Sequence, residues 1–108
     1  MSEEQTLTRL CRVDELPLNE ARRFDVNGKH IAVFHLPAGF FATDDTCSHA
    51  ESSLSEGFID EDTVECPEHG AVFDITTGEP QTLPATKPVS VYRVVTEGED
   101  LFLEDPDG

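Results

Sequence analysis

Apolar and polar positions alternate in short runs along this chain, and turn residues interrupt the runs every few positions. Leu7 to Val13 alternates loosely and ends before the Leu16-Pro17 loop. Arg22 to Val26 and His30 to Leu36 flank Asn27-Gly28, a pair suited to the tight two-residue hairpin turn because both positions accept positive φ. Pro37-Ala38-Gly39 turns the chain into Phe40-Phe41-Ala42-Thr43. Glu61-Asp62 reads as a tip between Gly57-Phe58-Ile59 and Thr63-Val64-Glu65, and Ala71 to Ile75 is a further strand stopped by Thr77-Gly78-Glu79-Pro80. Val89 to Val95 and Leu101 to Glu104 close the chain as a hairpin around Glu97-Gly98-Glu99. No stretch keeps a helical period for more than a turn or two. The pattern predicts an all-β fold, a small antiparallel sandwich or barrel, with Phe40, Phe41, Phe58 and Phe73 in its core.

At 108 residues the chain is expected to form one domain over 1–108, with too little length for a second core. A core this small gains from a bound metal centre. Met1-Ser2-Glu3-Glu4-Gln5 lacks the basic and apolar regions of a signal peptide, and no apolar run nears the roughly 20 residues that cross a bilayer. The cytoplasm is the expected location. Three cysteines are too few, and odd in number, for a disulfide scaffold. Cys11 stands alone in an apolar stretch and reads as a small buried hydrophobe.

Charge sharpens this picture. Seven Lys and Arg stand against 23 Asp and Glu, a formal net of −16, which argues against nucleic acid and anionic membranes as partners. Between Lys29 and Lys87 there is no Lys or Arg, while Asp44, Asp45, Glu51, Glu56, Asp60, Glu61, Asp62, Glu65, Glu68, Asp74 and Glu79 all fall there. This acidic stretch is either a solvated face or a docking face for a basic partner, steered by a field that salt screens. Glu51 and Glu68 are the candidate docking contacts, and so much like charge favours a monomer.

The same stretch contains two unusual loops, Cys47-Ser48-His49 and Cys66-Pro67-Glu68-His69, separated by sixteen residues. Two such loops at the ends of neighbouring hairpins can converge. Cys47, His49, Cys66 and His69 are candidate metal ligands, because thiolate and imidazole suit zinc or iron–sulfur rather than calcium or magnesium. Zinc fingers pair like ligands on one turn, whereas here each loop supplies one Cys and one His. That mixed arrangement suits a binuclear centre, in which one iron takes both thiolates and the other both imidazoles. His30 and His35 have no neighbouring cysteine and read as structural.

C-x-H, sixteen residues and C-x-x-H resemble the Rieske pattern, most closely at Cys66-Pro67-Glu68-His69-Gly70. Phe40 to His49, Ser53-Leu54-Ser55-Glu56-Gly57, Thr77-Gly78 and Leu83-Pro84-Ala85 are similar to the stand-alone ferredoxins of bacterial aromatic-ring dioxygenase systems. The resemblance implies a Rieske iron–sulfur fold with a two-loop cluster-binding subdomain at about 44–86, and one [2Fe–2S] cluster. It also implies that Cys47 and Cys66 bind the buried iron, while His49 and His69 bind the outer one through Nδ1 with Nε2 near solvent. Pro84 would belong to a loop shielding the cluster.

The departures from high-potential relatives are informative. The positions that carry a loop-to-loop disulfide there hold Ser52 or a neighbour and Glu68 here, and Cys11 is the only spare cysteine. Ala71 and Phe73 stand where those proteins place a Ser and a Tyr that donate to the cluster sulfurs. A cluster with two thiolates is less negative than one with four, which lifts Rieske potentials above plant-type ferredoxins, to about −150 to +300 mV. Few donors and many carboxylates disfavour the reduced state, which predicts the low end of that range, roughly −150 mV.

The chain has no room for an oxygenase domain and no Gly-rich phosphate loop. It therefore reads as a carrier and not an enzyme, and the resemblance to dioxygenase ferredoxins, together with the acidic stretch, implies that it passes single electrons from an NAD(P)H-dependent flavoprotein ferredoxin reductase to a terminal oxygenase that hydroxylates aromatic rings. Alternatives are a structural zinc module for protein binding, a Rieske carrier in another pathway such as cluster assembly or another oxygenase, and a regulatory reductase subunit.

Overall fold

The computed structural model describes residues 6–26, 28–46, 52–67, 70–82 and 87–105. Nine strands account for most of them: β1 (Thr6–Arg12), β2 (Ala21–Val26), β3 (Lys29–Leu36), β4 (Gly39–Asp44), β5 (Phe58–Asp60), β6 (Thr63–Glu65), β7 (Val72–Asp74), β8 (Val91–Glu97) and β9 (Asp100–Asp105). Two single turns of 3-10 helix, Val13–Glu15 and Leu54–Glu56, complete the regular structure. Each strand expected from the alternation is present, with ends shifted by one or two residues.

The strands form two antiparallel sheets. The larger has the order β1-β9-β8-β4-β3-β2 and the smaller β5-β6-β7. The short hairpins are legible locally: Val26 pairs with Lys29, and Asp60 pairs with Thr63 across the Glu61-Asp62 tip, while Asn27 lies outside the described residues. The pairing of β1 with β9 joins the two ends of the described chain and includes a register shift between Arg9 and Cys11. The small sheet lies within the connection between β4 and β8, which are themselves neighbours in the large sheet.

β3 explains how the two sheets share a core. Ile31 to Phe34 are all buried, so this strand is covered on both faces and reads as a continuous apolar run. Ile31 and Val33 join Leu16, Val26, Ala42 and Leu103 in one cluster. Ala32, Phe34 and Leu36 face the other way, into a cluster with Leu54, Val64, Cys66, Ala71, Phe73, Ile75 and Val89. The second cluster is the seam between the large sheet and the small one.

Phe40 and Phe41 pack against these two clusters from successive positions of β4, and Phe73 is buried. Phe58 corrects the sequence reading: it is 67% exposed. On β5 the inward position is Ile59, and the period of two turns Phe58 and Asp60 out to solvent. Cys11 is buried without a disulfide, and burial, followed by the nearby Glu15, pushes its thiol upward, which suits an inert core residue. His35 is structural as expected: its ring stacks on Phe40 at 4.0 Å and its Nδ1 donates to the Leu16 carbonyl. His30 donates to the exposed carboxylate of Asp25 at 2.7 Å.

Candidate metal centre

The second motif loop begins where β6 ends. Cys66 is 1% exposed, and its backbone N–H donates to the Ala71 carbonyl at 2.7 Å, which brings the two ends of the second motif together. Gly70 returns the chain at φ +72°, a conformation that costs glycine little, and a side chain there would press on the Glu65 carboxylate. Ala71 and Phe73 then enter the buried seam, so neither offers a side-chain hydroxyl beside Cys66. On the far side of β7, the Val72 N–H donates to Thr82 Oγ1 and the Gln81 N–H to the Val72 carbonyl, laying the segment before Leu83 along this strand.

The first motif loop leaves the end of β4. Asp44 is tied to the start of β8, because its carboxylate accepts from the Tyr92 hydroxyl at 2.6 Å and from the Ser90 N–H. Asp45 follows, 1% exposed, with its N–H on the His30 carbonyl. Beyond the loop, the Leu54 N–H donates to the Asp45 carbonyl at 2.7 Å and the Ser55 N–H to the Asp45 carboxylate at 2.9 Å. Thr46 and Ser53 form a β-bridge between these contacts and the loop.

The two loop bases meet in one place. Leu54, at the exit of the first, belongs to the same buried cluster as Cys66 and Ala71, the two ends of the second. Gly57 makes the approach possible, because any side chain there would collide with the Glu65 carbonyl, one residue before Cys66. The loops were expected at the ends of neighbouring hairpins. Instead the first leaves the large sheet at β4, while the second joins β6 to β7.

Of the four candidate ligands, Cys66 is the one placed among the described residues, while Cys47, His49 and His69 lie outside them. Glu51, Glu68 and Pro84 also lie outside. Cys66 is buried and free of a disulfide like Cys11, but it differs in opening the second motif beside Ala71, and that position fits a metal ligand, whereas Cys11 has no such motif. In the sequence, Asp45 is one of eleven carboxylates of the acidic stretch. Its place two residues before Cys47 was the signal that it could do more.

The profile of the Rieske [2Fe–2S] domain matches residues 6–93. The chain belongs to the Rieske [2Fe–2S] domain family. Its cofactor is a Rieske-type [2Fe–2S] cluster, and the zinc-module alternative falls away. Among Rieske relatives, the ferredoxin subunit of 3-phenylpropionate/cinnamic acid dioxygenase from Shigella flexneri serotype 5b (strain 8401) is 45% identical over 98 residues, 90% of this chain and 92% of that protein. The solved ferredoxin of carbazole 1,9a-dioxygenase from Nocardioides aromaticivorans IC177 is similar at 34% identity and TM-score 0.87, over 92% of this chain and 97% of that one. A chain in the solved complex of reduced oxygenase and oxidized ferredoxin in carbazole 1,9a-dioxygenase matches equally, at 34% identity and TM-score 0.87 over 94% of each chain. These likenesses make this Rieske chain an electron-transfer component and not a catalyst.

Its arginines keep to the large sheet, and one of them, Arg23, lines a cavity with Asp45, Thr46, Ser52 and Ser53 at the base of the first motif loop. The described arginine pairs, Arg9–Asp100, Arg12–Asp14, Arg12–Glu99, Arg22–Glu15 and Arg23–Asp25, all belong to the large sheet and its loops. The segment from 30 to 86, which carries both motif loops and the small sheet, has eleven carboxylates and no Lys or Arg.

Proposed function

We propose that this protein is a one-electron carrier that takes electrons from an NAD(P)H-dependent flavoprotein reductase and delivers them to a terminal ring-hydroxylating dioxygenase. The observation that carries the reading is the likeness, over nine-tenths of the chain, to a ferredoxin subunit of an aromatic-acid dioxygenase. The solved complex of an oxygenase with its ferredoxin supports the oxygenase as acceptor. Cys47 and Cys66 would supply thiolates to one iron, and His49 and His69 imidazoles to the other. The cluster, when bound, supplies a store for a single electron at a potential above that of plant-type ferredoxins.

The chain's own residues do the rest. Hydrogen bonds at Asp45 and Cys66 set the loop bases, and Leu54, Ala71 and Phe73 keep water from the thiolate side. Ala71 and Phe73 have no hydroxyl to stabilise added negative charge, which supports a low potential within the Rieske range. No helix of the described residues is long and apolar enough to cross a membrane. The reading includes one domain over 1–108, a cytoplasmic location and a monomeric state, the last favoured by self-repulsion at a net charge of −16.

Reconstitution with the reductase and oxygenase of a 3-phenylpropionate dioxygenase system tests the proposal. Stopped-flow mixing of the reduced carrier with oxidised oxygenase is expected to give fast transfer at low salt. The rate should fall by about tenfold or more as salt screens the acidic segment. Absence of transfer to the oxygenase at any salt contradicts the carrier role, and a salt-independent rate contradicts acidic docking.

A further inference from the structure

Asp45 is the one charged side chain buried among the described residues. Burying a carboxylate is costly unless it is hydrogen-bonded, and this one accepts the Ser55 N–H at 2.9 Å. Its backbone is engaged as well, the N–H on the His30 carbonyl and the carbonyl on the Leu54 N–H. Three hydrogen bonds therefore converge on the residue that enters the first motif loop, and two of them come from the residues that leave it. An asparagine could accept the Ser55 N–H without the cost of a buried charge, so the charge itself calls for an explanation.

Asp45 stands two residues before Cys47 in the sequence, so their Cα atoms can be no more than about 7.6 Å apart. A buried charge at that range, beside a cavity that Arg23 and His30 also line, acts through a lower effective dielectric than the exposed carboxylates of this segment, which solvent and salt screen.

We propose that Asp45 is a positioning residue for the first ligand loop, clamping the loop's exit through Ser55 and holding a fixed negative charge beside Cys47 that favours the oxidised state of the centre. This rests on the reading of Cys47 as a cluster ligand. The clamp acts with or without the cluster; the charge acts on the reduction equilibrium.

The test compares Asp45→Asn and Asp45→Ala with the wild-type protein as purified under anaerobic conditions, using amide exchange at Ser55 and dye-coupled reductive titration at low salt and at high salt. In Asp45→Asn the Ser55 amide should stay protected, while the reduction equilibrium constant rises by about tenfold at both salts. In Asp45→Ala, Ser55 exchange should accelerate at least about tenfold and iron should be lost faster. Unchanged Ser55 exchange in Asp45→Ala overturns the clamp. A reduction equilibrium in Asp45→Asn that equals wild type, or that differs only at low salt, overturns the charge. Should Asp45→Ala fail to fold, Asp45→Asn still decides the charge, and loss of Ser55 protection in that variant would overturn an acceptor-based clamp. A wild-type protein without a Rieske spectrum would instead refute the carrier reading, and the Ser55 exchange would still decide the clamp.

Discussion

Replacing Cys66 with serine is expected to remove the visible absorption of the protein and reduce its iron content to near zero. Serine is almost the same size and leaves the backbone bond from residue 66 to the Ala71 carbonyl untouched, so the two ends of the motif stay joined. What changes is the donor: a hydroxyl of high pKa replaces a thiol that yields the soft anionic ligand iron–sulfur centres require. The site is buried in the seam between the sheets, so solvent offers no easy substitute. Far-UV circular dichroism should still report a β fold, at lower stability, because metal binding contributes to folding free energy. Cys11→Ala is the matched control. Cys11 is equally a buried free cysteine, but it sits on β1 in the large sheet, and its removal should leave iron content unchanged. Full iron in Cys66→Ser would contradict the ligand assignment.

Phe34→Ala carries the second large effect, a loss of about 3–5 kcal/mol of unfolding free energy. Phe34 is fully buried at the centre of β3, beside Phe41 on β4 and Ala21 on β2, and it belongs to the cluster that includes Cys66 and Phe73. Removing its ring empties space on the face of β3 that supports the small sheet. Domains of this size are stable by only about 5–15 kcal/mol, so the variant should be marginal without its cluster and partly rescued when loaded. Urea unfolding of the cluster-free forms measures the difference. The exposed Phe58 is the internal comparison, and Phe58→Ser should stay within about 0.5 kcal/mol of wild type. A Phe34→Ala loss below about 1 kcal/mol would mean that the two sheets are not joined through this seam.

The contrast between Phe34 and Phe58 marks what could be read from the chain alone. Period-two alternation located the strands, and Asn27-Gly28 and Glu61-Asp62 gave hairpins whose registers depend only on neighbouring residues. The same alternation does not say which face of a three-residue strand points inward. That is decided by what lies opposite, and for β5 it is the apolar side chain of Ile59 that meets the seam. Pairing of β1 with β9, and the insertion of the small sheet between β4 and β8, depend on contacts far apart in sequence that no local pattern encodes.

The site was legible in a different way. Cysteine and histidine at C-x-H and C-x-x-H spacing are chemically uncommon enough to announce a centre before any fold is known. In the fold, Cys66 is buried at the end of β6, where the second motif begins. Asp45 carries no such signature, since an acidic residue in an acidic stretch looks like surface. Only its burial and its bonds to Leu54 and Ser55 distinguish it from Asp44, whose carboxylate turns to Tyr92 and Ser90. Gly57 was visible as a turn residue, but its closeness to the Glu65 carbonyl, which lets the two loop bases approach, is a tertiary fact.

The central claim is that two cysteines and two histidines of this chain hold one [2Fe–2S] cluster. Low-temperature EPR of the anaerobically purified protein, recorded after dithionite reduction, tests it most directly. A rhombic signal with the low average g of histidine-ligated clusters, from a protein that was red-brown before reduction, is the predicted result. A signal with the higher average g of a four-cysteine cluster, or a colourless, EPR-silent protein that binds zinc after cluster loss has been excluded, would contradict it.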